Sequence, residues 1–68
     1  MSSKYLKQSI NRIDISCQTI NKLKQNNIND IQQLSNTSKY VLQKYGVSNE
    51  EIELINNEML LLGLNLEN

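Results

Sequence analysis

The stretch SNEEIELINNEMLLLGL, residues 48–64, decides the fold class. Ser48 is followed three positions later by Glu51, the S-x-x-E pattern of a capping box, in which hydroxyl and carboxylate satisfy free N–H groups at a helix start. Glu50, Glu51 and Glu53 fall in the first turns, where carboxylates complement the positive end of the helix dipole. Ile52, Ile55, Met59 and Leu62 then recur at the spacing of one buried helical face. Gly63 fits the left-handed position past a helix end, and Leu64 supplies the hydrophobic contact of a Schellman ending.

Working back from Ser48, the same signals repeat in shorter form. Gly46 ends a short helix carrying Tyr40, Val41, Leu42 and Tyr45. Asn36, Thr37 and Ser38 form a polar break with several candidate caps. Asn29 or Asp30 caps another short helix that buries Ile31 and Leu34. Asn26 and Asn27 stop the helix before it, because asparagine tolerates the left-handed conformation. That helix starts at an N-cap, Ser16, and presents Cys17, Ile20, Leu23 and the stem of Lys24 as its inner face. Ile10, Ile13 and Ile15 make an extended or single-turn lead-in, and residues 1–9 a flexible or partly helical terminus. No stretch longer than a few residues alternates with strand period. The expectation is an all-α chain: a compact bundle of four to five short helices, forming one domain over residues 10–68.

Composition narrows the function. With 68 residues the chain makes one domain, and its core draws on eight Ile and ten Leu. There is no His and one Cys, so neither the usual zinc spacings nor the common nucleophile–base pairs can be assembled. One cysteine forms no internal disulfide, which suits a reducing, cytoplasmic setting. The longest apolar run, Met59 to Leu62, is far short of the roughly 20 residues of a membrane span. The two glycines, Gly46 and Gly63, make no phosphate loop. Cys17 reads as a small core residue and the glutamates as a solvated helix start. The chain is expected to be non-enzymatic, with no metal and no cofactor.

Charge is balanced overall and lopsided along the chain. All seven basic residues lie in positions 1–44, opposed there by Asp14 and Asp30, whereas positions 45–68 carry five Glu and no cation. Such asymmetry points to two surfaces with different partners, and it also suits head-to-tail self-association.

Three segments together resemble a known family. IDISCQTINKLK (13–24) is similar to L-[DE]-L-[ST]-V-R-S-x-N-C-L-K, INDIQQL (28–34) to I-x-x-I-G-D-L, and LGLNL (62–66) to L-G-L-S-L. In that order they resemble the C-terminal domain of the bacterial RNA polymerase α subunit, over residues 10–66. The resemblance implies helix–hairpin–helix-type turns. It also implies binding to A·T-rich minor grooves upstream of promoters, and contact with transcription regulators and σ factor.

Carried over position by position, Asn21 matches the family's DNA-contacting Asn and Lys24 a nearby Lys. Lys22 replaces a Cys, and Ser48 stands where a glycine N–H meets phosphate. Gln18 stands where the family inserts an Arg into the minor groove, and Glu50 where it has a Lys. The candidate DNA-contacting set is therefore Gln18, Asn21, Lys22, Lys24 and Ser48. Its departures predict very weak binding, since each lost phosphate contact removes a counterion-release contribution. The implied partner is RNA polymerase or a transcription regulator protein, with A·T-rich DNA as a weak second ligand. The alternative is a stand-alone interaction module of the same fold with no DNA role. LQKYGV (42–47) also loosely resembles a sterile-alpha-motif segment, a reading the ordered match over residues 13–24 argues against.

Overall fold

The computed structural model describes residues 7–66. It is an all-α bundle: a 3-10 turn (Ile10–Arg12) followed by α1 (Cys17–Gln25), α2 (Ile31–Ser35), α3 (Lys39–Lys44) and α4 (Asn49–Leu61). The expectations for residues 1–6 and 67–68 lie outside the described residues.

Each element begins at a side chain able to accept a main-chain hydrogen bond. Ser9 caps the 3-10 turn, and Ser16, Asp30, Ser38 and Ser48 cap the four α-helices. At α2 the box is complete: Asp30 accepts from the Gln33 N–H, and Gln33 accepts from the Asp30 N–H. At α4 it is half complete. Ser48 Oγ accepts from the Glu51 N–H at 3.2 Å. The Glu51 carboxylate does not return to Ser48, because it has better donors on α1. The capping box expected from S-x-x-E thus gives way to a tertiary contact.

Three helices end in one device. Asn27, Gly46 and Gly63 have φ of 65°, 87° and 78°. Behind each, the next residue turns its N–H back onto the helix: Ile28 to Leu23, Val47 to Leu42, and Leu64 to Met59. These are Schellman endings, and each pairs an apolar residue beyond the turn with one inside the helix. Five of those six side chains are buried, with Leu64 half-buried, so the turn that stops the helix also closes its core contact.

The core gathers Ile10, Leu23, Ile31, Leu34, Leu42, Ile55 and Met59, all fully enclosed, with Ile13, Ile28, Val47 and Ile52 around them. Gln8 and Ser9, placed by sequence in a loose terminus, belong to this assembly. The Ile31 N–H donates to Gln8 O, the Ile10 N–H donates to Asn29 O, and Ser9 bridges Asp30 in antiparallel sense. The segment is thereby tied across the start of α2, which lets Ile10 drop into the core. Among the described residues no buried side-chain nitrogen or oxygen lacks a hydrogen-bond partner.

The inner face of α1 differs from the expected one. Thr19 and Leu23, four apart, are buried, and Ile20 is half-buried at the margin. Cys17 and Lys24 are exposed, so Cys17 is not a core residue. A hydroxyl replaces the thiol inside because Thr19 has a carboxylate to donate to, which removes the cost of burying it. Leu62, expected in the buried stripe of α4, is half-buried.

Candidate functional site

Two helix starts meet on one side of the molecule. Ser16 opens α1, and Ser48 opens α4 at the end of the hairpin turn Gly46-Val47-Ser48. Glu51, one turn into α4, ties them together. Its Oε1 accepts from the Thr19 hydroxyl at 2.7 Å, the Ser16 hydroxyl at 2.8 Å and the Ser16 main-chain N–H at 3.3 Å. The Ser16 hydroxyl also accepts the Thr19 N–H at 3.2 Å, completing the cap of α1. The bond from Thr19, then that from the Ser16 hydroxyl, hold the Glu51 carboxyl below its ordinary pKa against the opposing effect of partial burial. The carboxylate is the form that three donors can serve.

A second tie runs from the middle of α1 to the hairpin. The Lys22 ammonium donates to Gly46 O at 2.7 Å, satisfying a carbonyl at the end of α3 with a cation where the helix dipole favours one. Across the same turn the Gln43 amide donates to the Asn49 side chain at 3.0 Å, fixing α3 against α4. Further along α4, Glu58 accepts the Asp14 N–H at 3.2 Å. Glu51 and Glu58, seven apart on one helical face, thus clasp the lead-in over residues 14–16 and the start of α1, with buried Ile55 between them.

Against this frame the sequence-derived residues separate into two groups. Gln18, Asn21 and Lys22 share a face, since positions three and four apart are neighbours on a helix. The Lys22 bond joins that face to the hairpin that carries Ser48. Gln18, Asn21 and Ser48 are exposed, and Lys22 is half-buried. Lys24 is exposed and, three positions beyond Asn21, borders that face on the side away from Lys22. Glu50 is exposed at the hairpin end of α4.

Sequence reading missed the roles of Ser16, Thr19 and Glu51 as the joint between the two helix starts. The one hint was a serine and a threonine three apart at a helix start. Nothing local showed that a glutamate 32 positions beyond Thr19 would complete them.

Among the described residues, no group of three or more Cys, Asp or Glu is placed to hold a metal ion, and no helix is long and apolar enough to cross a membrane. Comparison with protein-family models and with curated proteins gives no match.

Proposed function

We propose that this chain is a non-catalytic binding module of the transcription machinery. Its sequence resembles that of the polymerase α C-terminal domain, and on this reading it works mainly through a protein contact on the face built from α1 and the α3–α4 hairpin. The observation that carries the reading is the joining of that face: Lys22 bonds to Gly46 O, and Glu51 bonds to Ser16 and Thr19. The Lys22 bond ties the α1 face that carries exposed Gln18 and Asn21 to the hairpin that carries exposed Ser48, the two elements on which the resemblance implies ligand contacts.

Electrostatics favours protein over DNA as the main ligand. The Lys22 ammonium is engaged with a carbonyl, and exposed Glu50 beside the hairpin repels phosphate. A duplex docking here would release few counterions, the main source of sequence-independent affinity. Gln18 lacks the charge that draws an arginine into a narrow minor groove. Asn21, Gln18 and the Ser48 hydroxyl remain as neutral hydrogen-bonding groups, suited to the polar contacts of a protein interface.

The test is a titration of labelled A·T-rich duplex at about 50 mM salt, with the parent chain and a double variant, Gln18→Arg with Glu50→Lys. The parent is expected to bind more weakly than about 0.1 mM, the weak end of non-specific DNA binding. The variant is expected to bind at least tenfold more tightly than a control carrying the same charge change elsewhere, Gln32→Arg with Glu53→Lys. Equal gains in the two variants would overturn the placement of the ligand face. Co-elution with polymerase subunits or σ factor, weakened by Asn21→Ala, is the corresponding result for the protein partner.

A further inference from the structure

We propose that the outward side of α4 is a second docking surface, and that it takes a basic amphipathic helix from a partner protein. The helix is apolar on two sides. Ile52, Ile55 and Met59 face the core, yet Leu54 and Leu61 stand 45% and 79% exposed on the opposite side, and Leu60 beside them is 51% exposed. Single exposed leucines are ordinary, but two seven apart on one helix form a stripe. Glu50, Leu54, Asn57 and Leu61 follow each other at intervals of four, three and four, the spacing of a seam between paired helices.

Charge selects the occupant. Glu50 stands in the stripe itself, Glu53 and Glu58 flank it, and α4 contains no Lys or Arg. A second copy packing α4 against α4 would set glutamates on glutamates, because a two-fold contact uses the same patch on both sides. An anionic lipid surface would be repelled for the same reason. A helix with leucine-sized side chains in its seam and lysine or arginine on both flanks satisfies the stripe and the rim together. This inference stands apart from the transcription reading, since it uses neither α1 nor the resemblance.

The probe is a synthetic helical peptide of two and a half heptads with leucine in the seam and lysine at the flanking positions. A matched peptide has glutamate at those flanks. Amide shifts of the labelled protein are followed for each. The lysine peptide is expected to move Leu54, Asn57, Glu58 and Leu61 saturably, with binding that weakens as salt rises. The glutamate peptide is expected to leave them still. Leu54→Gln with Leu61→Gln, both good helix formers at exposed positions, should weaken the lysine peptide at least tenfold without altering the melting curve. Equal binding of both peptides, or shifts elsewhere, would overturn the proposal. So would concentration-dependent dimerisation abolished by the double variant, since the occupant would then be a second copy.

Discussion

Three donors converge on one oxygen of Glu51, and two of them come from the residue that caps α1. Single-residue predictions follow from that geometry. Because the folded carboxyl has a lowered pKa, the clasp contributes its full stability above the ordinary glutamate range, about 4.3. That contribution is lost as pH falls through the folded value. Glu51→Gln should therefore melt below the parent at pH 7, and the gap should close as pH is lowered below the ordinary glutamate range. Parallel melting curves across that range would contradict the clasp. Thr19→Val keeps the shape of a buried side chain and removes the donor nearest Glu51, at 2.7 Å. It should cost about 1–2 kcal/mol by thermal melting and bring the Glu51 carboxyl back toward its ordinary pKa.

At the scale of the element, the helix ends were readable because they are local. Ser16, Ser48, Asn27, Gly46 and Gly63 each end or cap a helix through partners within five residues, so short-range pattern suffices, and of the several candidates at residues 36–38 Ser38 is the cap. The choice between Asn29 and Asp30 fell to Asp30 because Gln33 could complete its box. What was not readable depends on what packs against each element. S-x-x-E at Ser48 describes a local partnership, and Glu51 left it for donors on α1. The inner arc of α1 was misplaced onto Cys17 and Lys24 because a threonine is an acceptable core residue only where something accepts its proton. At the α3–α4 hairpin, Gly46 at φ 87° needs the left-handed freedom of glycine, and its carbonyl holds Lys22. Gly46→Ala should cost about 1–2 kcal/mol through that conformation. A Cβ there would sit 3.7 Å from the Lys22 ammonium, an ordinary contact, so the loss belongs to the backbone and not to a clash. Replacing Gly63 by Ala should cost a similar amount, although nothing lies within 4 Å of its Cβ position. A clear difference between the two glycines in the melting curve would contradict that assignment.

For the whole molecule, a few side chains carry the stability. Ile55 is fully enclosed on α4 between the two glutamates that clasp the lead-in. Ile55→Ala should cost about 2–5 kcal/mol, a large share of the roughly 5–15 kcal/mol available to a small domain. Lys7→Ala, at an exposed position near the chain start, should stay within about ±0.5 kcal/mol. Around this core the basic and acidic halves of the sequence meet rather than segregate, since Lys22 bonds to Gly46 O beside exposed Glu50. A face on α1 and the hairpin mixes neutral donors with opposed charges, and α4 presents leucines among glutamates. The proposed function needs the first face to be one surface rather than two neighbouring helix ends. The most direct measurement is a set of proton–proton contacts by nuclear Overhauser spectroscopy. Cross-peaks are predicted between the side chains of Thr19 and Glu51, and between the Lys22 ε-methylene and the Gly46 α-protons. A spectrum with the intrahelical contacts of α1 and α4 intact and both sets of cross-peaks missing would contradict the account.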